Sequence, residues 1–158
     1  MAILERAAQR LSLMQQTRSV AIVGMSPDPS RASHFVATYL AGKTDWRVFY
    51  VNPRQTEILG QPVYPALADL PETPDLVDVF RRTDDLPSVV HDAIAVGAQS
   101  VWFQLGLVHD EAAADATAAG LDVVQNRCLK IEHARFAGGL HCAGFVTGVI
   151  DNRLARLI

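Results

Sequence analysis

The chain has 158 residues, enough for one domain with a sizeable core, and its 49% apolar and 20% charged residues exclude a disordered protein. A formal net charge of −3 argues against a strongly basic face, so nucleic acid is not an expected partner. No apolar run approaches the roughly 20 residues of a membrane span, the N-terminus lacks a secretion-signal pattern, and the two cysteines make no disulfide framework, so a cytoplasmic protein is expected.

The first predicted elements are a helix, a strand and a second helix. Apolar positions along one face predict an amphipathic helix over 2–16, which we expect to lie as a lid on a sheet. The run 20–23 is apolar and largely β-branched, which is typical of a strand buried on both faces of a parallel sheet. The next helical pattern contains Phe35 and Leu40 and is expected to end at Gly42.

The rest of the chain continues the alternation of strands and helices. The segment 60–65 allows only a very short edge strand. Pro62 fits such a strand, because edge strands tolerate a missing N–H donor. The helix that ends at Gly97 has Pro87 in its first turn, where the missing donor costs little. The further predicted elements are strands over 46–51, 76–80, 100–103 and 121–124, a helix over 86–94, and an alanine-rich helix from Asp110 to Gly120.

This alternation predicts an α/β fold of the Rossmann-like, doubly wound type, with a mostly parallel sheet in a single domain over 1–158. Right-handed crossovers favour the strand order 3-2-1-4-5-6, which makes the strands 20–23 and 76–80 neighbours. A ligand crevice is therefore expected between Gly24 and Arg81. The tail 138–158 has no assigned structure, and its apolar residues could cover an open face or join a homodimer or partner protein.

The turn after the first strand has the properties of a phosphate site. Gly24 ends the strand, small and turn-forming residues follow, and a helix begins shortly after them. Backbone N–H groups and the helix dipole both favour an anion at such a position.

The nucleotide is not expected to be NAD. The dinucleotide fingerprint Gly-x-Gly-x-x-Gly has Ser26 and Pro29 at its second and third glycine positions, and the second strand ends without the usual carboxylate. Arg54 at that strand end suits a ribose phosphate, as in NADP or in the 3′-phosphorylated adenosine of coenzyme A (CoA). Arg81 and Arg82 would lie beside a pyrophosphate. The alternative is that these arginines are solvated loop charges.

Five motifs in order resemble the small stand-alone bacterial CoA-binding proteins, a family related to the CoA-binding domain of the succinyl-CoA synthetase alpha subunit. They are VAIVGMS from Val20, VNP from Val51, DVFR from Asp78, WFQLG from Trp102 and NRC from Asn126. The resemblance covers about 15–136 and implies a Rossmann-like fold that binds CoA or acyl-CoA. The synthetase's phosphorylated histidine belongs to a separate domain, so ligase activity is not implied.

The resemblance also implies a set of ligand contacts along the strand ends. The turn after the strand 20–23 would face the phosphates, and the end of the strand 46–51 would face the adenosine. The end of the strand 76–80 would lie beside the pyrophosphate, and the end of the strand 100–103 beside the pantetheine arm. The residues concerned are Gly24, Met25, Ser26, Pro27, Ser30 and Arg31 in the first turn, Asn52, Pro53 and Arg54, then Phe80, Arg81 and Arg82, then Gln104, Leu105 and Gly106, and finally Cys128.

Cys128 is the main candidate for chemistry. It follows a strand on the ligand edge beside Arg127, and a neighbouring cation favours the reactive thiolate form of a cysteine. A mixed disulfide with CoA would make the protein a CoA-sensing regulatory module, whereas the alternative is an inert, half-buried thiol. A zinc site formed with His133, His141 and Cys142 is disfavoured, because adjacent ligands rarely reach one tetrahedral ion.

The sequence contains no recognisable catalytic constellation. Asp75 and Asp78 bracket a strand without an obvious partner, and no nucleophile elbow or Ser/His/Asp order is present. We therefore expect CoA binding without catalysis. The rival from another class is an NADP-dependent oxidoreductase that uses Arg54 for the ribose phosphate.

Overall fold

A computed structural model describes residues 2–137 of the chain. Strands and helices alternate along it, as the hydrophobic pattern predicts. The elements are α1 (Ala7–Gln16), β1 (Ser19–Val23), α2 (Ala32–Lys43), β2 (Arg47–Val51), β3 (Glu57–Ile58), β4 (Gln61–Tyr64), β5 (Leu76–Val79), α3 (Leu86–Val96), β6 (Ser100–Phe103), α4 (Asp110–Ala118), β7 (Asp122–Val124) and α5 (Leu129–Arg135).

The strands form one sheet in the order β3-β4-β2-β1-β5-β6-β7. Every neighbouring pair is parallel except β3 and β4, which form an antiparallel hairpin. With β4 counted as the third strand, this is the predicted order 3-2-1-4-5-6 with one short strand added. The Rossmann-like fold class is confirmed, and β1 and β5 are neighbours at the centre of the sheet.

The hairpin corrects one expectation, because β4 lies between β2 and β3 and is not the edge strand. Leu59 and Gly60 form the two-residue turn with φ of 53° and 72°. Two successive positive φ angles are typical of a type I′ turn, which lets the strand reverse at once. Pro62 pairs with Glu57 in this short hairpin.

Apolar residues form a core on each face of the sheet. All five residues of β1 are buried, with Ile22 on the face that α1, α2 and α5 cover and Ala21 on the face that α3 and α4 cover. The expected lid is present: Leu13 and Met14 of α1 belong to the first of these cores.

The ends of two helices differ from the expectations. α1 begins at Ala7, because the preceding residues extend the sheet: Val123 N–H donates to Ala2 O at 2.8 Å and Leu4 N–H to Val123 O at 2.7 Å. α2 continues past Gly42, and Thr44 ends it with its hydroxyl donating to Leu40 O at 2.7 Å.

α5 was not predicted from the sequence. The tail 138–158 lies outside the described residues. No helix between 2 and 137 is long and apolar enough to cross a membrane.

Candidate functional site

A cleft of about 570 Å³ opens at the carboxyl ends of β1, β5 and β6. The start of α2 borders one side and α5 the other. The crevice predicted between Gly24 and Arg81 is therefore present, because parallel strands bring the residues that follow them to one edge of the sheet. The sequence-predicted residues that line it are Gly24, Ser26, Arg31, Phe80, Arg81, Gln104, Leu105 and Cys128.

Gly24 forms the turn that opens the cleft. Its φ is +87°, in the left-handed region, and a Cβ placed on it would lie 2.2 Å from Phe80 O. Its N–H donates to Val51 O at 2.9 Å. Only glycine fits between these neighbouring strand ends, so the turn brings backbone close to any ligand in the cleft.

The first turn of α2 faces this opening. Ala32 and Ser33 both line the cleft, and no side-chain hydrogen bond from Arg31 caps the helix. The Ser33 hydroxyl accepts a hydrogen bond from Ser26 N–H at 3.0 Å, which fixes the preceding loop against the helix. Uncapped N–H groups and the positive end of the dipole make this turn favourable for an anion.

Two arginines reach the cleft, and each has a carboxylate nearby. Arg31 Nε lies 3.9 Å from Asp28 Oδ2, and Arg81 Nη2 lies 3.3 Å from Asp85 Oδ2. Hydrogen bonds from Ser30 hold the pKa of Asp28 below its usual value, so this carboxylate is charged at neutral pH. Such exposed pairs are weak, and a phosphate offering several acceptor oxygens could replace the carboxylates.

Asn52, which follows β2, uses its side chain to hold neighbouring loops in place. Asn52 Nδ2 donates to Met25 O at 2.8 Å, and Asn52 Oδ1 accepts from Arg54 N–H at 2.8 Å. The Met25 side chain is buried in the core, so it does not line the cleft. Pro53 lines a separate, smaller cavity of about 140 Å³ that shares Arg81 with the main cleft.

The remaining first-turn and loop residues of the predicted set do not line the cleft. Ser30 is exposed and donates its hydroxyl to Asp28 Oδ1 at 2.7 Å. Pro27, Arg54, Arg82 and Gly106 are likewise exposed.

The loops that follow β6 and β7 are joined beside Cys128. Asn126 Oδ1 accepts from Gly106 N–H at 2.8 Å, and Asn126 N–H donates to Leu107 O at 3.1 Å. Asn126 has a φ of 56°, a conformation that asparagine tolerates better than most residues. The half-buried Cys128 thiol precedes α5 at this junction and lines the cleft.

A buried carboxyl group lies behind the cleft, and sequence reasoning assigned it no partner. Asp78, in the middle of β5, is fully buried, and its Oδ1 accepts a hydrogen bond from Gln104 Nε2. Its Oδ2 has no hydrogen-bond partner among residues 2–137. Burial raises the pKa of Asp78 to about 8, although the bond from Gln104 acts in the opposite direction.

Asp75 also has partners, but at the opposite edge of the sheet. Its Oδ2 accepts from the N–H groups of Arg18 and Ser19 at 2.7 and 3.2 Å. This aspartate joins the start of β1 to the start of β5 and takes no part in the cleft.

Four cleft residues were missed from the sequence. Ala32 and Ser33 precede the first apolar residues of the α2 pattern, so the helix start was placed too late. Leu107 comes directly after the WFQLG motif and was not among the predicted contacts. Ile131 belongs to α5, which hydrophobic periodicity does not reveal because one of its two buried positions, Glu132, is a charged residue.

Within 2–137, no group of three or more His, Cys, Asp or Glu side chains could hold a metal ion. His133, one of the residues considered for zinc, bonds through Nδ1 with the Tyr39 hydroxyl at 2.9 Å, and burial lowers its pKa. His141 and Cys142 lie outside the described residues.

Known proteins of similar length share both the sequence and the fold of this chain. The uncharacterized protein YneT of Bacillus subtilis is 32% identical over 127 residues, which cover 80% of this chain and 93% of YneT. A hypothetical protein from Pyrococcus horikoshii has a solved structure that matches with a TM-score of 0.80 and 34% identity over 86% of this chain and 96% of its own.

A larger enzyme matches over a shorter stretch. The ADP-forming acetate–CoA ligase I of Archaeoglobus fulgidus is 32% identical over 73 residues, which are 46% of this chain and 10% of the ligase. The pattern of the CoA binding domain matches residues 18–134, which contain all the strands and the whole cleft. The resemblance seen in the five motifs is thereby confirmed, and the chain belongs to the family of CoA-binding domains.

Proposed function

We propose that this protein binds CoA or acyl-CoA in the cleft at the carboxyl ends of β1, β5 and β6, without catalysis of its own. The observation that carries the proposal is the combination of the Gly24 turn, the uncapped start of α2, and Arg31 and Arg81 around one opening. Backbone N–H groups and arginine forks both suit a pyrophosphate.

The other side of the cleft suits the pantetheine arm and an acyl chain. Leu105 is 67% exposed and Ile131 43% exposed, although both are large apolar side chains. Together with Leu107 and Phe80 they give the cleft an apolar side on which a flexible arm can bury its methylene groups. Cys128 is part of the same lining.

Calorimetric titration with CoA, acetyl-CoA and NADPH tests the proposal directly. We expect CoA or acetyl-CoA to bind and NADPH to bind far more weakly. Arg31→Ala and Arg81→Ala should each weaken CoA binding roughly tenfold, the value of one charge-assisted hydrogen bond. Arg47→Ala is the matched control, because Arg47 pairs with Glu72 at 2.8 Å at the start of β2, away from the cleft.

Tight binding of NADPH with none of CoA would overturn the proposal in favour of an NADP-dependent oxidoreductase. Equal effects of the cleft and control arginines would show that the cleft is not the site. We further infer a reducing, cytoplasmic location, because two cysteines in 158 residues make no disulfide framework. A homodimer or partner contact through 138–158 stays a prediction.

A further inference from the structure

β5 contains a buried polar residue in the middle of the sheet. Leu76, Val77 and Val79 are buried apolar residues, as expected for a central strand, but Asp78 between them is a fully buried carboxyl group. It pairs in register with Ile22 of β1 and Trp102 of β6. An aliphatic residue would suit this position better, so the carboxyl group requires an explanation.

Its bonding does not indicate a purely structural role. One oxygen accepts from Gln104 Nε2, while Oδ2 is unpaired within the described residues. Leaving a buried polar atom without a partner destabilises the folded state, because the atom loses its hydrogen bonds to water. A group retained at such a cost is a candidate for function.

Gln104 connects this carboxyl group to the cleft. Its side chain is nearly buried, yet it is part of the cleft lining. A carboxamide has a donor end and an acceptor end of the same shape, and a neighbouring partner decides their arrangement. The acceptor on Asp78 engages the amide nitrogen, which leaves the carbonyl Oε1 of Gln104 as the group available to a ligand.

We propose that Asp78 is a positioning residue that holds the Gln104 carboxamide with its nitrogen inward, so that Gln104 Oε1 accepts a hydrogen bond from an amide N–H of the pantetheine arm. The inference rests on the proposed CoA binding and adds how the site recognises the arm. The pair involves no covalent step. An acceptor in this position favours ligands whose arm carries amide donors over those with the nucleotide alone.

The test compares CoA with 3′-phospho-ADP, which has the same nucleotide but no pantetheine arm. Gln104→Met and Asp78→Leu should each weaken CoA binding about fivefold, the value of one hydrogen bond, and leave 3′-phospho-ADP binding unchanged. The double variant should lose little more than either single variant, because both act on one contact. Asp78→Asn keeps an acceptor oxygen for Gln104 Nε2 and should restore most of the CoA affinity.

Each result decides the question. If wild-type protein binds no CoA, the proposed function fails and the inference fails with it. If wild-type protein binds CoA while both variants match it, or lose CoA and 3′-phospho-ADP equally, the inference fails and the proposed function stands. Should Asp78→Leu not fold, Gln104→Met and Asp78→Asn decide the result by themselves, with thermal unfolding as the control for structure.

Discussion

The α-carbon of Gly24 lies so close to the carbonyl group of Phe80 that a Cβ on it would be 2.2 Å from the oxygen and 2.9 Å from the carbon. Phe80 N–H donates to Val23 O at 2.8 Å, so the two strand ends are also joined by a hydrogen bond. Gly24 and Phe80, which make this contact between the ends of β1 and β5, both line the cleft. The close approach of backbone at the site therefore depends on one missing side chain.

Gly24→Ala should strongly destabilise the protein. The new methyl group would meet backbone atoms, which cannot move without displacing β5, and the left-handed φ adds roughly 1–2 kcal/mol. We expect a total loss of about 3 kcal/mol or more in the free energy of unfolding, measured by urea denaturation.

Gly120→Ala is the control for that experiment. Gly120 has a similar φ of +94°, but nothing lies within 4 Å of an added Cβ. It should therefore show the backbone cost alone. Equal losses in the two variants would contradict the proposed contact with Phe80.

Asp78 should make stability depend on pH in a defined direction. Burial raises the pKa of this group from 3.8 to about 8, so the folded state keeps a proton that the unfolded state has lost. Between these two pH values its contribution to stability should fall as pH rises, by at most about 1.4 kcal/mol per pH unit. Above the pKa that Asp78 has in the folded state, its contribution to stability is fully lost.

Asp78→Asn removes this titration. Melting temperatures measured from pH 5 to 9 should decline less in Asp78→Asn than in the wild type, and the two curves should diverge as pH rises. Parallel curves would show that Asp78 does not take up a proton on folding.

Breaking the buried ion pair between Arg10 and Glu132 from one side should destabilise the packing of α5 against α1. Arg10 Nε lies 2.9 Å from Glu132 Oε2, and both side chains are 2% exposed. Glu132→Gln would leave the arginine charge unpaired and should cost about 3–5 kcal/mol. CoA affinity should fall too, because α5 carries Ile131 and follows Cys128 at the cleft.

An apolar replacement of both partners gives the matching comparison. Arg10→Met combined with Glu132→Leu should recover most of the stability in urea denaturation, since no unpaired charge is left. A double variant as unstable as Glu132→Gln would show that the ion pair itself is needed.

Arg54 is expected to recognise the 3′-phosphate of CoA. Its side chain is exposed at the end of β2, where its backbone N–H is held by Asn52. Arg54→Ala should weaken CoA binding roughly tenfold and leave dephospho-CoA binding nearly unchanged in calorimetric titrations. Equal weakening of both ligands would remove Arg54 from the adenosine end.

Cys128 should form a mixed disulfide with CoA under oxidation. Diamide would take two electrons and two protons from the Cys128 and CoA thiols, so that one S–S bond joins them. Mass spectrometry of the intact protein should show one CoA adduct that dithiothreitol removes and that Cys128→Ser lacks. An unmodified Cys128 in protein that binds CoA would support the inert thiol.

The sequence by itself determined the order of the six strands that pair in parallel and the edge of the sheet at which the cleft opens. Val20–Val23 and the other apolar runs predict central parallel strands, because only such strands are buried on both faces. Gly24, Arg81, Gln104 and Cys128 come after four different strands, and parallel topology brings them to one cleft. The five motifs were sufficient to identify the family of CoA-binding domains.

Only the tertiary structure decided which side chains reach the cleft and what supports them. Met25, Asn52 and Gly106 stand in the predicted motifs, yet their observed hydrogen bonds join strand ends and loops to one another. The bond between Asp78 and Gln104 spans 26 positions, so no local pattern could reveal it. Hydrophobic periodicity reports the face on which a residue lies, whereas hydrogen-bond partners depend on distances between elements that are far apart in the chain.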